Sequence, residues 1–261
     1  MQIKDITALG GEETTPGNPA GSRMTEEYVE WMKAQRPAEE GPSLMDAVRA
    51  RHSVREFTDR PVDAVAAQVL QKKIDAINEE VGVHFQLLLN EPKAFGGKPA
   101  HYGKFVNCRN YIALVAPKGA DNAVGYYGEQ LVLMAQLLGL NTCWVALTYS
   151  KRNIPVAVKK GDKLFIVIAL GYGKTQGVPH NSKNIYELCE CEGAMPAWFR
   201  KGVECAALAP TAVNQQQFRF KYVSESEVEA TTKFGPCSKI DLGIAEYHFE
   251  IGAEGHPFEF V

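Results

Sequence analysis

No apolar run in this sequence approaches the roughly 18 residues needed to span a bilayer. The longest, LFIVIAL at Leu164–Leu170, has the length and β-branched content of a buried strand. Neither sign of charge is in large excess: 28 Lys and Arg stand against 31 Asp and Glu, a formal net charge of −3 that gives no electrostatic case for a nucleic-acid partner. The opening MQIKDITALGGEETTPGNPAG has no apolar core of signal-peptide type, so a cytoplasmic protein without membrane contact is expected. Of six cysteines only Cys189 and Cys191 are close, and no second pair stands at zinc-ribbon spacing. Reduced, mostly buried thiols are expected, and no metal. No G-x-G-x-x-G follows a strand pattern, and GYGKTQG (Gly171–Gly177) lacks the Ser/Thr and helix of a Walker loop; a Gly-rich strand exit suits it better.

What is present is ordinary globular composition, 45% apolar and 23% charged, in a chain of 261 residues that can bury a sizeable core as one large domain or two similar halves. Residues 1–42 look like an extension: Gly, Thr and Pro, one short helical stretch (TEEYVEWMKAQ), then RPAEEGP. Regular structure is expected from PSLMDAVRARHS, with Ser43 and Asp46 as a capping pattern and a helix end near His52. VDAVAAQVLQKKIDAINEEVG predicts a long helix with Val65, Val69, Leu70, Ile74 and Ile77 on one face. HFQLLLN and NYIALVAP read as strands separated by the Gly-rich loop KAFGGKPAHYGKF. NAVGYYGEQLVLMAQLLGL is a helix apolar on most of its surface, and therefore central. NTCWVALT and KLFIVIALGY predict two more strands, joined by a polar segment with helical character.

After GYGKTQGVPHNSKNIYEL the order starts again. AMPAWFRKGVECAAL predicts a helix, QFRFKYV and EVEATT strands, and KIDLGIAEYHFEIGA a helix with Leu242, Ile244, Ala245 and Phe249 on an apolar face. Helix–strand–strand–apolar helix thus occurs from about Val62 to Leu140 and from Ala194 to Ala253, which suggests an internal duplication. The division expected is residues 43–193 for a first half and 194–261 for a second, together one compact unit.

Two segments break the repeat, one in each half. ARHSVREF (Ala50–Phe57) puts two guanidiniums, an imidazole and a hydroxyl within five residues, and arginine forks match phosphate oxygens. A solvated, basic helix terminus is the plainer reading of that segment alone. APTAVNQQQF in the second half joins a helix to a strand through small residues and amides, where Thr211, Asn214 and Gln215 beside Ala212 suit the in-plane edge of a flavin ring. An exposed turn after a Pro stop at Pro210 is the plainer reading there.

As a pair, the segments resemble the flavin-binding signatures of the nitroreductase family: a basic R-x-S-x-R segment, and an APS-x-x-N-x-QPW segment that meets the flavin from the neighbouring subunit. LGLNTCWVALTY (Leu138–Tyr149) is similar to the family's GLGTCW strand. The resemblance extends from about Leu44 to Ala253. It implies an α/β (α+β) fold with mixed sheets flanked by helices, and non-covalent FMN. Asn214 follows Arg51 by 163 positions, whereas the family's two segments lie close together. This order resembles a single-chain, duplicated-core branch of TM-type nitroreductases, in which one chain imitates the usual dimer through two pseudo-symmetric halves. One flavin site survives; the other lacks both the Asn turn and the basic segment.

The resemblance assigns Arg51, His52 and Ser53 to the phosphate and ribityl chain, and Arg55 to the flavin N1–C2=O edge as an electrostatic group. Pro210, Thr211, Ala212 and Asn214 take the partner-side positions. A basic residue after the last core strand is also implied, Lys183 first and Lys174 second. Gln217 and Phe218 stand for the family's Pro and Trp, and VALT replaces a Gly-Gly pair, so that Ala146 or Leu147 would offer the main-chain N–H to flavin N5 and O4. Phe95, Tyr102, Trp144 and Tyr149 are candidate pocket walls, core packing being the better reading of Trp144. His101 and His180 read as surface residues. The implied activity is an FMN-dependent oxidoreductase taking hydride from NADH or NADPH and passing electrons to a small aromatic, nitro or quinone-like acceptor, with no side-chain nucleophile. Two alternatives stay open: a flavin-binding or redox-sensing protein with little turnover, and a nicotinamide-independent enzyme remodelling flavin or a metabolite. A monomer is implied, with a homodimer left open.

Overall fold

The computed structural model describes residues 41–96 and 104–261, so the N-terminal extension, with His101 and Tyr102, lies outside the described residues. Helix α1 (Leu44–Ala50) begins in the expected capping box: the Ser43 hydroxyl accepts from the Asp46 N–H and the Asp46 carboxylate accepts from the Ser43 N–H. Such a cap stabilises by about 1 kcal/mol. The helix stops at Ala50, short of His52, because Arg51 turns to extended backbone (φ −70, ψ 114). Helix α2 (Ala64–Val81) buries Leu70, Ile74 and Ile77, while Val65 at its start stays exposed.

Strands β1 (Gln86–Leu88), β2 (Asn110–Pro117), β3 (Asn141–Val145) and β4 (Asp162–Gly171) form one antiparallel sheet in the order β1-β2-β4-β3. The two-residue period of a strand sends its side chains to opposite faces. Ile112, Leu114, Ile166 and Ile168 enter the main core with the helices. Tyr111, Ala113, Val167, Ala169, Cys143 and Val145 meet Val54, Phe57 and Ala94 on the other side. The polar segment before β4 is helical only over a single 3-10 turn (Lys151–Asn153).

The second sheet is β5-β6-β7-β8, with β5 (Cys189–Glu190), β6 (Phe218–Ser224), β7 (Glu227–Thr232) and β8 (Glu259–Phe260). The short helix α4 (Ile185–Leu188) leads into it, and α5 (Ala197–Ala206) packs beside it. Phe199, Phe220, Phe249 and Phe258 fill the space between sheet and helices through tilted and edge-on ring contacts.

Two mostly buried helices run through the centre: α3 (Asp121–Leu137) from the first part and α6 (Ser238–Gly252) from the second. They touch backbone to backbone. A Cβ on Gly125 would lie 2.0 Å from the Ile240 carbonyl oxygen, and one on Gly243 would lie 2.0 Å from the Asn122 carbonyl oxygen. Each glycine therefore meets the carbonyl three residues before the other, a reciprocal contact of the kind a two-fold axis produces. The orders α2–β1–β2–α3 and α5–β6–β7–α6 also match, with β1–β2 and β6–β7 both antiparallel pairs.

The α3–α6 packing buries acids. Burial pushes Glu250 up to about 8, against a hydrogen bond from the Tyr126 hydroxyl and with help from Glu246. Burial likewise takes Glu246 to about 7 and Asp241 to about 6. Unfolded carboxyls lose their protons near pH 4. Between that pH and about 8 the folded chain holds more protons, so stability falls as pH rises through this window. Thermal denaturation should therefore show its highest midpoint near pH 5. Glu250→Gln, which cannot ionise, should flatten the upper part of the profile, with a gain on the order of 2 kcal/mol at pH 8 and little change at pH 5.

Candidate functional site

After α1 the RHSVREF segment runs as an extended ribbon along β3 rather than as a helix end. Ser53 bridges to Thr142 in parallel, the Val54 N–H donates to the Thr142 carbonyl, and Phe57 bridges to Gly173. Along the ribbon Arg51 (3% exposed), Val54 and Phe57 are buried, and Arg55 projects to solvent. Arg51 lies 3.8 Å from Glu129, a residue wholly buried in α3. Its Nε is sealed from solvent and has no hydrogen-bond partner among the described residues. Cys143 lies nearby on β3; burial pushes its thiol up, against Arg55, the Ser53 hydroxyl and Arg51.

The APTAVNQQQ segment is a turn with three non-glycine residues in the left-handed region: Val213 (φ 47), Asn214 (φ 56) and Gln216 (φ 43). Such conformations cost of order 1 kcal/mol or more each and persist where surroundings fix them. Here Asp241 accepts from the Ala212 N–H and the Gln215 amide, and Thr211 Oγ1 accepts from the Gln216 N–H. The Asn214 amide is engaged as well: Nδ2 donates to the Asn181 carbonyl at 3.0 Å, and Oδ1 accepts from Gln216 at 2.9 Å.

The stretch after β4 joins the two motifs. Lys174 N–H bonds to the Glu56 carbonyl, and its ammonium pairs with the Glu56 carboxylate. Gly177 (φ 75) passes so close to the basic segment that a Cβ there would lie 2.7 Å from the His52 Cβ. His180 approaches the Ala207 carbonyl at 3.1 Å, and the Ser182 hydroxyl donates to the same carbonyl. Lys183 then donates its ammonium to the Gln215 and Gln216 carbonyls. Of the two lysine candidates, Lys183 therefore braces the turn and Lys174 braces the basic ribbon. Arg51, together with burial, holds both His52 and His180 below the usual histidine range, burial being the larger cause. His180 is thus half-buried and part of the basic cluster.

Strand β3 ends at Val145, short of the expected NTCWVALT, and residues 146–149 form bends. Ala146 is half-buried, and Leu147 projects at 73% exposure. Tyr149 packs with Phe95 (ring centres 6.5 Å), and its hydroxyl has no hydrogen-bond partner among the described residues. Burial, then Cys237 at the start of α6, raise Tyr149 to about 12, which brings this loop beside the helix that anchors the turn. Trp144 is core: it fills the space above Gly128, and its indole donates to Glu129. Pro210 is buried at the head of the turn.

Sequence reasoning missed Glu129, His248 and Asp241. A lone acid inside YYGEQLVLMAQLL, and a His among AEYHFEIG, are themselves a signal, since such groups are seldom fully buried without partners. The Cys189–Cys191 pair lies in a separate cleft of about 550 Å³, which shares no lining residue with these motifs. Among the described residues no three His, Cys, Asp or Glu side chains are grouped to hold a metal, and no helix is long and apolar enough to cross a membrane.

The donor set fits a phosphorylated flavin. An inward guanidinium whose Nε has no hydrogen-bond acceptor among the described residues, a neighbouring hydroxyl and two half-buried imidazoles are what a phosphate needs. The amide-rich turn is fixed to the same region through residues 177–183.

The family model described as "Putative TM nitroreductase" matches residues 43–253. Among solved structures, one of a putative nitroreductase from Thermotoga maritima is similar with a TM-score of 0.56 at 23% identity, over 84% of this chain and 87% of that one. One of a putative nitroreductase in complex with FMN from Desulfovibrio desulfuricans matches with a TM-score of 0.44 at 20% identity, over 60% of this chain and 100% of that one. No curated protein matches.

Proposed function

The chain belongs to the TM-type nitroreductase family, and from that premise we propose that it is an FMN-dependent NAD(P)H oxidoreductase that reduces small aromatic, nitro or quinone-like acceptors. Bound FMN would supply reversible hydride chemistry at its N5. The observation that carries the reading is the buried Arg51 guanidinium, aimed inward with its Nε lacking a hydrogen-bond acceptor among the described residues.

In this reading Arg51, His52 and Ser53 hold the phosphate and ribityl chain. Arg55 keeps a positive charge at the pyrimidine edge, where it favours the reduced, anionic ring. Thr211, Ala212 and Asn214 meet the ring from the second half, with Pro210 setting the entry to the turn and Lys183 bracing it. The main chain at Ala146 and Leu147 faces the reactive edge. The chain's contribution is positioning and charge, with no side chain acting as a nucleophile. The two halves act as the two subunits of a dimer fused into one chain; the reciprocal Gly125 and Gly243 contacts support this. A small donor and acceptor use the same open site in turn, in a cytoplasmic protein.

Purified protein mixed with FMN should retain one flavin per chain as a monomer and show its visible absorbance. It should then oxidise NADH or NADPH with a quinone or nitroaromatic acceptor. Failure to retain FMN sinks the cofactor reading. FMN that binds and is reduced by neither nicotinamide sinks the oxidoreductase and favours a nicotinamide-independent or sensing role.

A further inference from the structure

Behind Arg51 lies a buried set of charges that the two matched motifs do not contain. One oxygen of Glu129 accepts from the Trp144 indole at 2.8 Å. The other faces His248 Nε2 at 3.0 Å and Arg51 Nε at 3.8 Å. His248 is fully buried in α6, and its second nitrogen lies 3.3 Å from the Cys205 carbonyl. Arg51 and His248 thus converge on the same carboxylate oxygen, which ties the ribbon to both central helices and leaves the Arg51 fork to be completed by an anion from its other side.

Two more titratable groups stand on the outer side of Arg51. His52 follows it in the ribbon, and His180 arrives on the stretch after β4. Burial and Arg51 disfavour their charged forms, His180 adding to the effect on His52 and His248 to that on His180. The charges and titratable groups that face this cluster are Glu129 from α3, His248 from α6, Cys143 from β3 and Arg55 from the ribbon itself. Both histidines are thus poised to gain protons when a dianion arrives next to Arg51.

We propose that Glu129 and His248 are positioning residues that aim Arg51 at the flavin phosphate, and that His52 and His180 take up protons as the phosphate binds. The pocket would then select the phosphorylated over the unphosphorylated flavin, and do so in a pH-dependent way. This rests on the FMN reading above. The sign follows from linkage: the complex holds more protons than the free protein, so affinity is greatest at low pH and falls as pH rises through the histidine range of the complex. The phosphate's second pKa is about 6, so above pH 6.5 the ligand stays mostly dianionic and its own titration adds little.

The test measures dissociation constants of the full chain for FMN and riboflavin by fluorescence quenching at pH 6.5, 7.5 and 8.5. Calorimetry in two buffers of different ionisation heat counts the protons exchanged. The expected result is net proton uptake with FMN and none with riboflavin, and an FMN-to-riboflavin affinity ratio that drops by about tenfold or more across the range. His180→Gln, at a half-buried position, should reduce that slope without weakening riboflavin, and His52→Gln should reduce the slope as well, with a loss for riboflavin limited to its ribityl contact. Glu129→Gln should weaken FMN about tenfold and riboflavin much less, with Glu129→Asp recovering part of the loss. A ratio independent of pH with FMN still bound overturns this inference and leaves the cofactor reading standing. So does an unchanged slope in both histidine variants, whether or not the Glu129 variants fold. Absence of binding to either flavin overturns the cofactor reading itself, and this inference with it.

Discussion

Gly125→Ala is expected to destabilise the protein by more than about 3 kcal/mol, because the added methyl would sit 2.0 Å from a backbone oxygen that has no rotamer to move. Relief requires the whole of α6 to shift outward, and α6 is buried along most of its length, including its Ile244, Tyr247 and Phe249. Gly243→Ala should cost a similar amount for the mirrored reason, its methyl meeting the Asn122 carbonyl. The double variant carries the sharper expectation. A single separation of the helices relieves both clashes, so its cost should fall well below the sum of the two singles. Urea denaturation of the three variants checks this; strict additivity would mean that the two contacts yield independently.

Arg51→Ala should be damaging in two separable ways. The first is structural: it removes a cation beside the buried Glu129 carboxylate, and breaking a buried pair from one side costs about 3–5 kcal/mol. The second is functional: under the FMN reading the variant loses its phosphate clamp and should retain no flavin through gel filtration. Neutralising the stranded acid in the same chain, as Arg51→Ala with Glu129→Gln, should recover part of the stability and none of the flavin. Arg51→Lys is no conservative change here, since a point charge cannot reproduce the forked donor set. Denaturation midpoints and the absorbance of bound flavin read the two effects independently. Recovery of flavin in the double variant would show that Arg51 does not touch the phosphate.

Much of this architecture is written in local pattern. The continuous apolar runs NYIALVAP and LFIVIAL match β2 and β4, which are buried on both faces, and Ser43 with Asp46 marks the start of α1 as expected. The two central helices are legible, α3 because it is apolar on most of its surface and α6 by its apolar face. The ends of elements are less so. Nothing in NTCWVALT says that pairing with β4 stops at Val145, opposite Val167; β4 continues to Asp162 beside β2, while residues 146–149 bend away. Strands of two residues, such as β5 and β8, are too short to carry a period and exist because β6 and β7 offer them edges. Of the candidate site, the residues of the ribbon and the turn stand out by composition. Their supports do not: Glu129, His248 and Asp241 acquire meaning only from partners far away in sequence, such as the Glu129–His248 pair 119 positions apart.

The contact between α3 and α6 is made within one chain, and that changes how its strength depends on dilution. An interface between separate copies weakens as the copies are diluted, because each encounter must find a partner. Here the partner is tethered, and the connection from β4 through residues 172–184 is itself bonded at both ends. The effective concentration of one part for the other is set by that short connection rather than by the amount of protein in solution. A pocket formed across these parts would therefore stay assembled at nanomolar abundance as well as at millimolar.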